Sequence, residues 1–334
     1  MILLEIDVEK RSKSAKQLDA SGPLEAGLIV HKERETWRLD PLSPDVPVVF
    51  GYGPFAGGRL YGVHRLIFVF KSPQTRTLHV SALGGAAYKA TGMGAQAVAI
   101  VGRAPRPTAL FISRGEVKFV ETQPADAYEL IRRLYQQHKE FFLQNDARAL
   151  VVGPAAYSTY NGAVVSVDVE VKSGEFKLGA EDFAARGGPG TALAQGHNVA
   201  AVVVGGPKRP MYEKVVDVEA INSLFKAKTG KAYIDVLNEK TVKYRFDPKI
   251  GTGGTFGVNY PHYRDLLPLF GCKSIYMPKE ERIRHADLVL ELFWKPFQRE
   301  VFEKAKSWYN CGEPCPVVCK KVWRGKKVDY ESFH

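Results

Sequence analysis

The chain has 334 residues, with 47 Lys and Arg against 36 Asp and Glu, a formal charge of +11 and 45% hydrophobic content. This composition excludes a disordered, collagenous or low-complexity chain, and the length predicts two domains. No apolar run nears the roughly 18 residues of a membrane span, and Glu5 and Asp7 interrupt what a signal peptide would need as an apolar core, so a soluble, cytoplasmic protein is expected.

The segment 1–207 reads as strand-rich α+β. Short β-branched or apolar runs, most of them bounded by Gly, Pro or Ser, predict strands at Ile2–Val8, Val48–Phe50, Leu66–Phe70, Val98–Val101, Ala109–Ile112, Val117–Val120, Ala149–Val152, Val164–Val169 and Ala200–Val204. One helix is predicted among them, from Ala125 to Leu143, with Pro124 at its start and Leu130, Ile131, Leu134, Phe141 and Phe142 at helical spacing. Beyond Pro207 the character changes. Val218–Lys226 and Lys279–Phe293 read as helices, the second starting after Pro278 and ending or kinking at Pro296, with a glycine-rich turn at Gly251–Gly257 between them. The domains are therefore placed at 1–207 and 208–334. No internal repeat of fixed period is evident.

Three segments concentrate glycine. They are Gly51-Tyr-Gly-Pro-Phe-Ala-Gly57-Gly58-Arg59, Ser81-Ala-Leu-Gly84-Gly85, and Ala184-Ala-Arg186-Gly187-Gly188-Pro-Gly190. Glycine lets backbone N–H groups approach an anion, and a flanking Arg can clamp phosphate, although Gly-Gly is also common in tight turns. None of the three has the P-loop or Rossmann form, which speaks against an ATPase or a Rossmann dehydrogenase and for an unusual phosphate-bearing cofactor.

Cysteine usage adds a second signal. Cys272 stands alone, whereas Cys311, Cys315 and Cys319 follow one another at C-x3-C-x3-C spacing, with Gly312, Pro314 and Pro316 bending the chain around them. Iron–sulfur ligation is the leading reading. Zinc, which favours complete sets of four ligands, and plain thiols remain alternatives. The cations are scattered except for Lys320, Lys321, Arg324, Lys326 and Lys327, which form either a solvated tail or a docking patch for an acidic partner. No nucleic-acid-binding motif is present, so nucleic acid is not the expected partner.

Taken in order, Asp40-Pro41-Leu42-Ser43-Pro44, Gly53-Pro54, Gly57-Gly58-Arg59, Lys71-Ser72-Pro73, Gly84-Gly85, Ala99-Ile-Val-Gly-Arg103, Gly153-Pro154-Ala155, Arg186-Gly187-Gly188-x-Gly190, the cysteine triplet and Tyr330-Glu331-Ser332 resemble the tungsten-containing aldehyde ferredoxin oxidoreductase family. The cysteine spacing is closer to the formaldehyde-oxidising branch. The resemblance implies an N-terminal two-sheet α+β domain that binds a tungsten bis-pterin, with molybdenum as the alternative metal, followed by the start of a mainly helical domain. It further implies Mg2+ between the pterin phosphates, a [4Fe–4S] cluster, ferredoxin as electron acceptor and an aldehyde as substrate. Carried over, Gly57, Gly58, Arg59, Gly84, Gly85, Arg186, Gly187, Gly188 and Gly190 would hold the cofactor. Cys311, Cys315 and Cys319 would ligate iron, and Glu331 would activate water or accept a proton.

Departures from the family pattern are also legible. No D-x-x-G-L pterin motif occurs, Ala82 stands where Asn is usual, and Asp182 replaces a cation expected near phosphate, where it would repel it. The segment from Cys319 to Tyr330 is also shorter than in the aldehyde-oxidising type member. Members of the family continue through two largely helical domains that supply the fourth cluster cysteine, so a missing C-terminal half or a second polypeptide completing the site is expected, with Cys272 either a fourth ligand or a free buried thiol. The competing expectation, favoured by Asp182 and Ala82, is a non-catalytic assembly or electron-transfer subunit.

Overall fold

The computed structural model describes residues 1–170, 172–177, 181–207, 217–240, 246–247, 252–253, 276–297, 299–300, 311, 321–323 and 326–328. Two compact units divide at Val218/Glu219. The first contains two mixed six-stranded sheets.

The first sheet comprises β1 (Ile2–Asp7), β2 (Ser12–Gln17), β3 (Val48–Gly51), β4 (Leu66–Lys71), β5 (Leu78–Leu83) and β6 (Ala97–Val101), in the order β2-β1-β6-β3-β4-β5. The second comprises β7 (Thr108–Ser113), β8 (Glu116–Glu121), β9 (Arg148–Val152), β10 (Val164–Val167), β11 (Asp182–Ala184) and β12 (Val199–Val204), in the order β11-β10-β9-β12-β7-β8. Read from its other edge, the second order is the first with each strand replaced by its counterpart six places later. The strand directions agree as well: only β1–β6 and β7–β12 pair in parallel. One six-stranded topology is thus built twice, an internal repeat that the sequence does not announce.

The strands at the sheet centres bury both faces, which is why they read as unbroken apolar runs. Leu4, Ile6, Phe50 and Phe68 of the first sheet and Leu110, Ile112, Leu150 and Val202 of the second belong to one buried cluster. Alternate residues face outward and are covered by helices. Ala26 and Val30 of α1 (Pro23–Glu33) cluster with Leu3, Val49, Val69 and Ala99. Leu130, Ile131 and Leu134 of α3 (Ala127–Gln137) cluster with Ala109, Phe111, Val151 and Val203. Short helices α2 (Ala86–Ala90), α4 (Lys139–Asn145), α5 (Ala155–Ser158) and α6 (Pro189–Thr191) complete this unit.

Several elements differ from expectation. The helix predicted over Ala125–Leu143 is two helices, α3 and α4, broken at His138, whose φ of −130° and ψ of 34° are not helical. Asp126 caps α3 by accepting from the Tyr128 and Glu129 N–H groups. Strands β2, β5 and β11 and helix α1 were not foreseen. Strand β2 is exposed at every position, so it carries no apolar alternation.

The described helices of the second unit are α7 (Val218–Thr229), α8 (Tyr233–Lys240) and α9 (Lys279–Val289), the last continuing through a π turn at Leu290–Trp294 into the short helix α10 (Lys295–Phe297). The side-chain oxygen of Asn222 accepts from the Tyr233 N–H at 3.0 Å, and the Phe225 and Tyr233 rings lie 4.7 Å apart. Of the predicted glycine-rich turn, only Thr252–Gly253 lies within the described residues, paired with Phe246–Asp247. No helix among the described residues is long and apolar enough to cross a membrane.

Two buried histidines brace the first unit. His31 Nδ1 lies 2.9 Å from Thr36 Oγ1. The His197 ring donates from Nδ1 to the Gly102 carbonyl at 2.7 Å, holding the crossover between the two repeats. Burial pushes both rings down to about 4, from an ordinary value of 6.5. The unfolded chain therefore takes up protons that the folded chain refuses. Stability should be full above pH 6.5 and fall as the pH drops toward about 4, by up to ~1.4 kcal/mol per pH unit for each ring. Urea unfolding at pH 7, 6 and 5 measures that slope, and His197→Gln should flatten it.

Candidate cofactor cradle

The repeat brings the glycine segments into corresponding places. After β3 comes Gly53-Pro54 and after β9 comes Gly153-Pro154, and each makes the same turn. The Ala56 N–H donates to the Gly53 carbonyl at 3.1 Å, and the Ala156 N–H to the Gly153 carbonyl at 3.0 Å. After β5 comes Gly84-Gly85 and then α2; after β11 comes Gly187-Gly188 and then α6. In both pairs the second glycine caps the helix in the left-handed region, with φ of 73° at Gly85 and 77° at Gly188. Glycine is the residue that adopts this conformation without a Cβ penalty.

The two pairs are joined reciprocally. Five residues ahead of each pair, His79 packs against Gly187 and the Asp182 carboxylate accepts from the Gly84 N–H. A Cβ on Gly187 would lie 2.5 Å from His79 Cδ2, and one on Gly188 would overlap the Tyr160 carbonyl oxygen. The Ser72 hydroxyl, buried in the β4–β5 turn, donates to the Gly187 carbonyl at 2.7 Å. The same hydroxyl accepts from the Gln74 and Thr75 N–H groups. Gly190 is held in turn by its N–H donating to the Gly162 carbonyl at 2.9 Å.

The first glycine segment meets the other two through α2. The Gly57 N–H donates to His64 Nδ1 at 3.0 Å, so the proton of the neutral ring sits on Nε2. The buried His64 ring lies edge-on to Tyr88 of α2, 5.3 Å between centroids. A Cβ on Gly57 would lie 3.2 Å from the Thr91 methyl. Gly58 is buried and donates to the Phe55 carbonyl at 3.3 Å.

The predicted residues are therefore in one neighbourhood, but their chemistry is divided. The glycines let backbones cross closely, and the N–H groups of Gly57, Gly58, Gly84, Gly188 and Gly190 have acceptors within the protein. Arg59 and Arg186 are exposed, and among the described residues neither has an ion-pair partner. These two guanidinium groups are side-chain donors open to a phosphate-bearing ligand. Asp182, expected to repel phosphate, is buried with its carboxylate on the Gly84 N–H. Its position in the chain suggested a ligand effect, whereas its geometry gives it a crossing between sheets. Sequence reasoning missed His64, for which no local signal exists, and the tie made by Ser72, which lay within a quoted motif.

Cys311 is buried. Cys272, Cys315, Cys319 and Glu331 lie outside the described residues. Among the described residues, no three His, Cys, Asp or Glu side chains gather as a metal site.

Comparison with known proteins settles the family. Residues 3–206 match the family model for the N-terminal domain of aldehyde ferredoxin oxidoreductase, and the chain belongs to that family. It is 41% identical over 321 residues to glyceraldehyde-3-phosphate:ferredoxin oxidoreductase of Pyrococcus furiosus, covering 90% of this chain and 49% of that protein. An uncharacterised protein of Methanocaldococcus jannaschii is 37% identical, covering 93% and 49%. The tungsten-containing aldehyde ferredoxin oxidoreductase of Pyrococcus horikoshii is 27% identical over 219 residues, covering 65% and 31%. The chain thus spans about half the length of the two relatives that it matches over most of its own length. Among solved structures, the active-site complex BamBC of benzoyl coenzyme A reductase shares the fold, with a TM-score of 0.64 at 18% identity over 97% of this chain and 47% of that one.

Two substitutions probe the crossings. Gly188→Ala forces an alanine into φ 77° and against the Tyr160 carbonyl, so a loss of about 2–4 kcal/mol in urea unfolding is expected. Ser72→Ala leaves the buried Gly187 carbonyl without its donor and should cost about 1–3 kcal/mol in the same assay.

Proposed function

We propose that this chain is the cofactor-binding part of an oxidoreductase that converts an aldehyde to a carboxylate, and that it works with further polypeptide supplying the remaining domains. The observation that supports this most is the duplicated glycine pair. Each six-stranded repeat ends a strand in Gly-Gly at the start of a short helix, and each pair braces the other. A bis-pterin has two equivalent phosphate-bearing halves, and a duplicated fold offers two equivalent places for them.

The donor set fits such a group, since Arg59 and Arg186 are exposed beside the glycine turns with no acid partner among the described residues. In this reading the two arginines would hold the phosphates, with Mg2+ as the expected counter-ion. Gly57, Gly58, Gly84, Gly85, Gly187, Gly188 and Gly190 keep the floor of the cradle free of side chains. When bound, tungsten bis-pterin (or its molybdenum counterpart) supplies the two-electron redox chemistry. Cys311, Cys315 and Cys319 would hold a [4Fe–4S] cluster, which would supply one-electron chemistry toward ferredoxin, and Glu331 would activate water or accept a proton from the hydrated aldehyde. The 41% identity to glyceraldehyde-3-phosphate:ferredoxin oxidoreductase makes a phosphorylated aldehyde the first substrate to test.

Elemental analysis after anaerobic purification from the native host, with any polypeptide that accompanies the chain, is the test. Tungsten at roughly one atom and iron at about four per chain are expected, with Arg59→Ala/Arg186→Ala lowering bound tungsten about tenfold. A chain without tungsten or molybdenum, or tungsten unchanged in the double variant, would overturn the assignment.

A further inference from the structure

On the outer face of the first sheet, α1, the 3-10 turn Thr36–Arg38 and the β4–β5 hairpin line an open cavity of about 380 Å3. That size falls at the lower end of small-molecule sites, which run from about 300 to 1,000 Å3. Its walls divide cleanly by chemistry. Leu28, Trp37 and Leu78 give it an apolar side, and all three remain exposed, Trp37 by 59%. Leu24, one turn before Leu28, and Val80, on the same strand face as Leu78, extend that apolar surface at 46% and 43% exposure. Exposed apolar area of this kind on a soluble unit marks a place where something binds.

The ionisable groups lining the cavity are all basic: His31, Lys32, Lys71 and Arg76. Lys71 is buried, and its ammonium donates to the carbonyls of Thr36 at 2.9 Å, Trp37 at 3.2 Å and Leu39 at 2.5 Å. It has no carboxylate within ion-pair distance among the described residues. Beyond these carbonyls the charge of Asp40 acts on it from a distance, and a further anion brought near stabilises such a buried cation. Its three donors are spent, however, so direct contact with a ligand falls to its neighbours. The Lys32 ammonium is exposed with no ion pair among the described residues, and Arg76 is shared only with exposed Asp40 at 3.0 Å.

We infer that this cavity binds a small amphipathic carboxylate, with its apolar body on Leu28, Trp37 and Leu78 and its carboxylate on Lys32 and Arg76. A cationic ligand is opposed by three positive charges, and a neutral apolar one leaves those charges unanswered. The assignment is independent of the cofactor reading, because it uses none of the cradle residues.

The test is a tryptophan-fluorescence titration of the full chain with octanoate and, as a neutral analogue of equal length, octanol. Trp37 is one of four tryptophans, so Trp37→Phe identifies the reporting signal. Saturable octanoate binding is expected, weakened about tenfold in Lys32→Gln/Arg76→Gln, with octanol binding weaker by a similar factor. Both substituted residues are exposed, and circular dichroism verifies that the variant folds. No saturation by about 10 mM, a signal that persists in Trp37→Phe, or equal binding of octanol would each overturn the inference.

Discussion

The architecture of the first unit depends on two polar ties made at the glycine pairs. At one, the Asp182 carboxylate takes the Gly84 N–H; at the other, Gly187 and Gly188 pass against His79 and the Tyr160 carbonyl while Ser72 donates to Gly187. Sheets that bury both faces need something at their ends to fix how they stack, because apolar packing alone is non-directional. These polar ties supply direction. They also set where the arginines emerge, since Arg186 immediately precedes the second pair and the loop bearing Arg59 leans on the helix that follows the first.

How much of this the sequence discloses follows from burial. Strands β6 and β12 are buried at every position and stand out as continuous apolar runs. Strand β2, Ser-Lys-Ser-Ala-Lys-Gln, is exposed throughout and looks like a loop. Strand β11 has three residues, too few for any period to show. Helix α1 carries Gly27 because its backbone rests on Val69, and that packing requirement weakens the helical pattern. The duplication escapes for a related reason: the spacing between equivalent strands drifts, so that Val48 answers Arg148 while Leu66 answers Val164. Topology is conserved by hydrogen-bonding pattern, which single residues do not spell.

The tight turns of the candidate site were legible in their glycines, because such residues carry a local signal. The site was illegible where function depends on what lies across the interface. Asp182 beside a Gly-Gly segment reads as a charge aimed at a ligand, and only the fold shows the Gly84 amide waiting for it. His64 gives no cue in sequence, although it fixes the Gly57 turn. Membership of the aldehyde ferredoxin oxidoreductase family follows from the match over residues 3–206, and the fold shared with the benzoyl coenzyme A reductase subunits places the same architecture in a differently named enzyme.

The reciprocity of His79 and Asp182 also bears on how such a domain comes to exist. Two identical chains meeting about a two-fold axis each present one residue to the same point on the other. Here the duplicated sheets lie within one polypeptide, and the two residues that tie the glycine pairs, each five residues ahead of its own pair, are not alike. A repeated sheet order is the arrangement that fusing a self-complementary dimer into a single gene would leave. A single chain carries no requirement of identity, so one tie can be an imidazole and the other a carboxylate. A symmetric shell is thereby free to treat the two ends of a symmetric guest differently.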